Sequence, residues 1–352
     1  MEKNDLLKSR MKHIVVKLLA FICYWTGLVS MFYALNKKAK RIVTFHNVIP
    51  QNLLPNGKKI GLIDTEESFD MKIREIKKHF PITNDLNDAK SLTITFDDGY
   101  CNEYEVVSKV AGDDVKGIIF ISGHLINNNN PADALTVDLL MHWIELVPNG
   151  TYFINYPTIV HRELVCTQSN RKFLWQNVIW PSFVADSLTK GKGLLAALDG
   201  AYPMKNILAQ CSPEYLRLRL TGLTSDKIKL IRKRGWVIGW HTEDHFPLSS
   251  LTNKQKKYEI ATNAPLEMKS IIFSYPYGEY LSVDLESQII VKESGFPCAV
   301  SNLVDPGSIN NKYFLPRFTL SDNKYLLHFE LSGMKFFLMH QKFLPVYNNP
   351  LV

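Results

Sequence analysis

Two carboxylates side by side at the end of an apolar strand are the residues of this sequence best placed to do chemistry. Leu92-Thr93-Ile94-Thr95-Phe96 alternates apolar and hydroxyl residues as a strand does, and Asp97-Asp98-Gly99 follows at once. Such a pair stands where a sheet meets solvent, and its charges repel unless a cation, a proton or hydrogen bonds separate their roles. An Asp-Gly step is also an ordinary turn, so the pair needs partners from elsewhere in the chain. A second candidate is His241-Thr242-Glu243-Asp244-His245, directly after the apolar run Trp236-Val237-Ile238-Gly239-Trp240. Histidines four apart can face one metal if the residues between them turn helically; otherwise the stretch is a solvated polar loop. Within it, Glu243 and Asp244 suit a cap or a solvent-facing position better than the site. A lone histidine, His46, closes the β-branched run Arg41-Ile42-Val43-Thr44-Phe45. By itself it fits a hydrogen-bonded core or turn position at least as well as a catalytic one.

These residues share one kind of position, and the elements around them explain why. Strand-like runs begin at Arg41, Leu92, Gly117, Trp236, Ser270, Pro297 and Leu315, and amphipathic helices are expected between them, as at Phe69, Ile73, Ile76 and Phe80. Seven strands alternating with helices predict a barrel-like α/β fold, in which chemistry gathers at the C-terminal strand ends. His46, Asp97, Asp98, His241, His245 and Tyr277 all fall at such ends. The rhythm breaks after the loop at Asn127 to Pro131, and residues 134–220 carry helical spacings with few strand signals. This stretch reads as a mainly helical insertion, placed at about 124–222. Its Trp143, Trp175 and Trp180 suit core positions better than a sugar-binding cleft. The expected organisation is an N-terminal segment 1–40, a barrel 41–330 containing the insertion, and a tail 331–352.

Composition narrows the classes further. The chain has 352 residues, 46% of them hydrophobic and 21% charged, which leaves no compositional case for disorder. Five scattered cysteines without CxxC spacing read as reduced thiols and favour the cytoplasm over an oxidising compartment. Residues 1–41 hold nine basic side chains against Glu2 and Asp5, which accounts for the whole net charge of +7. A balanced body argues against nucleic-acid binding; the basic segment suits an anionic membrane surface. Residues 18–35 are uncharged and near the lower length limit of a membrane span. A cleaved signal peptide is disfavoured, since no Ala-x-Ala site precedes Asn36. Between a spanning anchor and an interfacial or barrel-packed helix the second is preferred, because only residues 36–40 separate it from the first strand. The location expected is therefore cytoplasmic or membrane-associated.

Three motifs in order, Thr95-Phe96-Asp97-Asp98-Gly99, His241-Thr242-Glu243-Asp244-His245 and Tyr275-Pro276-Tyr277-Gly278, resemble those of the NodB-like polysaccharide deacetylases, carbohydrate esterase family four. The early Phe45-His46-Asn47-Val48 and the late Leu315-Pro316-Arg317 are similar to the branch acting on extracellular and capsular polysaccharides. The resemblance runs from about residue 41 to 318. It implies a distorted (β/α)7 barrel, a divalent metal (zinc foremost, with cobalt or nickel as alternatives) and hydrolysis of N-acetyl groups from amino sugars. It implies Asp98, His241 and His245 as metal ligands, Asp97 as general base, the Tyr277 backbone N–H as an oxyanion donor and His46 as the acid for the leaving amine. His328 is the less favoured candidate for that acid.

Two departures stand out. Where the family's third motif has arginine two residues before its proline, this chain has Ser274, and Phe246 separates His245 from Pro247. Arg317 is expected to supply the missing charge to Asp97. Rival readings are a deacetylase or deformylase of a lipid-linked sugar, and a catalytically inactive carbohydrate-binding protein on the same scaffold.

Overall fold

Seven short parallel strands form the body of the protein. The computed structural model describes residues 2–344 except 89, 113, 158, 160–162, 271 and 304–310. The strands are β1 (Arg41–Phe45), β2 (Leu92–Phe96), β3 (Ile118–Ile121), β4 (Val237–Trp240), β5 (Phe273–Ser274), β6 (Ala299–Val300) and β7 (Phe318–Thr319). They hydrogen-bond in the order β6-β5-β4-β3-β2-β1-β7. Leu315, just before β7, makes a parallel bridge to Val300 of β6, so this last segment joins both edges and closes the sheet into a distorted α/β barrel. Closure leaves no edge for another strand to join.

The strands read as continuous apolar runs because both of their faces are covered. Every residue of β1, β2 and β3 is buried, as expected of a parallel sheet wrapped by helices. The helix Glu66–His79 covers one side, with a Thr65 N-cap accepting from the Ser68 N–H, acids in its first turn and basic residues in its last. The closing side is the irregular part: β5, β6 and β7 have two residues each, shorter than the runs from Ser270, Pro297 and Leu315 suggest. Single bonds such as Tyr275 N–H to Val300 O at 3.2 Å continue the contact without a regular ladder.

The insertion is mainly helical, with one correction. An antiparallel pair, Gly150–Phe153 with Glu163–Cys166, interrupts the helices. Four-residue strands with mostly exposed side chains carry too little apolar alternation to stand out in the sequence. The insertion shares one continuous apolar core with the barrel, in which Leu140, Trp143 and Leu198 join Phe96 and Ile121. Its returning end is stitched to the loop beyond the acid pair: Cys101 N–H donates to Thr221 O and Leu223 N–H to Gly99 O, both at 2.9 Å. Gly222 is confined there, since a Cβ would lie 1.7 Å from the Leu125 carbonyl oxygen.

At the other end of the barrel, the helices Glu2–Trp25 and Leu28–Leu35 pack on the helix Lys324–Leu331. Arg41, the first residue of β1, ties these pieces together by donating to the carbonyls of Leu331, Ala39 and Asn36 at 2.7, 2.7 and 3.1 Å. No single helix is long and apolar enough to cross a membrane among the described residues, whereas the bent pair Ile14–Trp25 and Leu28–Leu35 passes the same test of length and composition together.

Candidate active site and metal centre

The acid pair lies at the C-terminal end of β2, and its two members have different partners. Arg317 donates from both terminal nitrogens to Asp97, at 2.6 Å to each carboxylate oxygen, a bidentate pair buried on all sides. The guanidinium is itself held by donation to Thr95 Oγ1 at 3.1 Å, Ser274 Oγ at 3.0 Å and Ser301 O at 3.1 Å. A small residue at 274 leaves the room that this arginine occupies, so the charge absent from that position arrives from the last strand segment. Burial alone would push the Asp97 carboxyl up, but Arg317 and the neighbouring His241 hold it well below the usual carboxylate range.

Asp98 faces the histidines instead. One ligand atom each from Asp98, His241 and His245 lies within 4.8 Å of the others, and all three residues are buried. His241 Nδ1 is engaged with Ser274 O at 2.8 Å, which leaves Nε2 to face Asp98 Oδ1 at 3.7 Å. His245 Nε2 is 3.2 Å from the same oxygen. Asp98 Oδ1 is fully buried and has no hydrogen-bond donor. Burial, with Asp138 and Asp97 beside it, pushes the Asp98 carboxyl well above its ordinary range, while burial pushes both histidines down towards the neutral form. Neutral imidazoles around an orphaned carboxylate oxygen form a donor set that fits a divalent cation, with a bond to the backbone orienting one ring.

The backbone is bent to make this arrangement. Asp98 (φ 89°), Thr242 (φ 66°), His245 (φ 53°) and Tyr277 (φ 62°) all occupy the left-handed region that non-glycine residues avoid. Gly99 follows Asp98 at φ 89°, and a Cβ there would meet the Ile121 side chain at 2.8 Å. Glu103 secures the turn by accepting from the Gly99 and Tyr100 N–H groups, each at 3.0 Å. Phe246 is fully buried against Phe183 of the insertion, ring centroids 4.8 Å apart, so the residue added before Pro247 anchors the histidine loop to the insertion.

The remaining candidates surround the same point. His46 Nε2 lies 3.9 Å from Asp97 Oδ2, and burial pushes its pKa down to about 4 despite that carboxylate. Tyr277 packs its ring on His245, centroids 4.8 Å apart, and among the described residues its backbone N–H has no hydrogen-bond acceptor. His328 is elsewhere: its partners are Tyr33 at 3.0 Å and Glu75 at 3.2 Å. Asp244 pairs with Lys190 of the insertion at 2.5 Å.

A cavity of about 600 Å³ opens over these groups, lined by His46, Asp98, His245 and Tyr277 from the barrel and by Asp138, Trp175, Trp180 and Arg219 from the insertion. Trp143 is a core residue, fully buried, but Trp175 and Trp180 line the cavity, which corrects the expectation of core positions for those two. Asp138 and Arg219 form a buried ion pair that also engages the Tyr100 hydroxyl. Sequence reading missed this pair. The available signal was weak: Asp138 and Arg219 are each flanked by apolar residues, in Val137-Asp138-Leu139 and Leu218-Arg219-Leu220, but their helices carry other charges such as Glu145 and Arg217.

No protein-family model and no curated protein matches the chain. The solved structures that it resembles here are deacetylases. The chain is similar to the Streptococcus pyogenes deacetylase PplD in complex with acetate, at 12% identity over 83% of this chain and 96% of that one, TM-score 0.47. It is similar to IcaB from Ammonifex degensii, at 12% identity over 84% and 97% of the two chains, TM-score 0.45. The third is BC0361, a polysaccharide deacetylase from Bacillus cereus, at 13% identity over 83% and 68%, TM-score 0.44.

Proposed function

We propose that this protein is a metal-dependent hydrolase that removes N-acetyl groups from the amino sugars of a polysaccharide. The observation that carries the reading is the division of the acid pair, with Asp97 clamped by Arg317 and Asp98 turned to two neutral histidines. Amide hydrolysis needs an activated water, a stabilised oxyanion and a proton for the departing amine. Asp98, His241 and His245 would hold the divalent ion, zinc foremost given one oxygen and two imidazole donors. When bound, such an ion supplies acidity to the attacking water and polarises the acetyl carbonyl.

The other groups belong to the chain itself. Asp97, held well below the usual carboxylate range by Arg317, takes the proton of the water, and the two bonds from Arg317 fix the direction in which it does so. The Tyr277 N–H donates to the acetyl oxygen as negative charge develops there. His46 is pushed towards the neutral form by burial, so it can protonate the amine only after gaining a proton during turnover, and at 3.9 Å from Asp97 it would take that proton through a bridging water. Trp175 and Trp180 offer apolar faces on which sugar rings can lie.

Acetate release from N-acetylated hexosamine oligomers tests the reading, using metal-reconstituted protein beside Asp97→Asn and His241→Ala. Both variants are expected to lose about 100-fold or more in rate. Wild-type release by both would overturn the proposal.

A further inference from the structure

The two ends of the chain meet to build one exposed apolar face. The limbs Ile14–Trp25 and Leu28–Leu35 are bent by 80° at Gly27, whose φ of 80° suits glycine. One side of each limb is buried: Ala20, Cys23, Val29 and Phe32 pack on Leu326, Phe329 and Met334. The other side is open, with Leu18 57%, Trp25 68%, Met31 47% and Leu35 56% exposed. The helix Met334–His340 packs beside them through Phe337 on Phe32, ring centroids 5.2 Å apart, and adds Leu338 and Met339, 50% and 67% exposed.

We infer that this composite face is a platform for the surface of an anionic bilayer, lying in the headgroup region without crossing it. Charge complementarity selects that occupant. Lys17, Lys37, Lys38 and Lys342 are exposed around the face, residues 14–41 contain no Asp or Glu, and the acid next to the second segment, Glu330, is already paired with Lys335 at 2.8 Å. Neither apolar limb is long enough to cross by itself: at about 1.5 Å per residue Ile14–Trp25 and Leu28–Leu35 are roughly 18 and 12 Å long against a hydrocarbon core of about 30 Å, they are bent by 80° to each other, and each spends one side on the protein's own body.

The attachment also sets an orientation. Asn36 and Arg41 join the platform to the N-terminal end of β1, while the acid pair and the histidines follow the C-terminal ends of β2 and β4. Platform and cavity therefore sit at opposite ends of the barrel, and substrate reaches the cavity from water.

Sedimentation of the purified full chain tests this with vesicles of phosphatidylcholine alone and of phosphatidylcholine mixed with phosphatidylglycerol. The double variant Leu338→Glu, Met339→Glu probes the part contributed by the chain's far end, where exposed positions tolerate the change. We expect binding to the anionic vesicles that weakens with salt, and a drop of about tenfold or more in partition for the double variant at unchanged thermal midpoint. Equal partition of the two proteins would overturn the inference. So would absence of vesicle binding together with a self-association that the double variant abolishes, since a second copy would then cover the face. Protection of the N-terminal segment from protease added to either side of sealed vesicles would overturn the non-crossing arrangement.

Discussion

Two buried arginines, one residue apart in the register of adjacent strand segments, are held in opposite ways. Arg41, at the foot of β1, donates only to backbone carbonyls, those of Asn36, Ala39 and Leu331. Burial without a carboxylate partner pushes its pKa down to about 10. Arg317, inside the barrel under the acid pair, spends two of its bonds on one carboxylate. The first arrangement joins chain segments, since the Leu331 and Ala39 carbonyls find their donor in it and the Asn36 carbonyl, which also accepts from the Ala39 N–H, a second one. The second holds a single acid ionised and oriented beside a strained loop. The same buried side chain thus ties chain segments together in one place and fixes a carboxylate in the other, according to what faces it.

The sharpest way to break that contrast is at the site itself. Asp98→Ala is expected to lose bound divalent metal, read by elemental analysis, and to lower deacetylation by on the order of 1000-fold, with little change in the unfolding midpoint. Asp97→Asn should retain the metal while losing about 100-fold or more in kcat, which separates the two members of the pair. Wild-type metal content in the first variant would remove the assigned division of roles.

Smaller effects sharpen the comparison of the arginines. Arg317→Lys replaces a bidentate fork by a point charge and should lower kcat about 10- to 100-fold with KM nearly unchanged. Arg41→Met should leave kcat within about twofold but cost about 2–4 kcal/mol in denaturant unfolding, because the buried Leu331 and Ala39 carbonyls lose their donor. An Arg41 variant that loses activity at unchanged stability would contradict its assignment as a tie between segments.

The smallest expected effect is on pH dependence at the platform end. His328, against Tyr33 and Glu75, has its pKa pushed from 6.5 to about 4 by burial and by His79. As pH falls below 6.5 the unfolded chain takes up a proton that the folded chain refuses until about pH 4. Its contribution to stability is therefore complete above pH 6.5 and is lost as pH falls to about 4. The urea midpoint should drop over that interval, and His328→Gln should flatten the drop.

How much of this was legible beforehand follows physical lines. The acid pair and the histidine pair could be picked out because each directly follows a strand whose apolar run is visible locally. Seven strands could be counted for the same reason, although the closing strands are shorter than their apolar runs because their pairing is irregular. Asp138 and Arg219 could not be told from the other charged residues of their helices, such as Glu145 and Arg217, since charges in a helical run are usually solvated and only packing shows which are buried. Trp175 and Trp180 have the helical spacing of core residues, and their place on the cavity wall depends on how the insertion folds back over the barrel.

The sequence by itself determined the alternation of strand and helix, the strand-end position of the candidate ligands and the basic, apolar character of the first 41 residues. Each is a property of neighbours along the chain, where periodicity and charge are direct physical constraints. Arg317 could be named as the partner of Asp97 from its Leu-Pro-Arg run, but only the tertiary structure decided that its fork grips both carboxylate oxygens across 220 residues, and that helices from the first and last parts of the chain share one exposed face. Those outcomes depend on ring closure through Leu315 and on helices packing across the barrel foot, long-range contacts that no local pattern encodes.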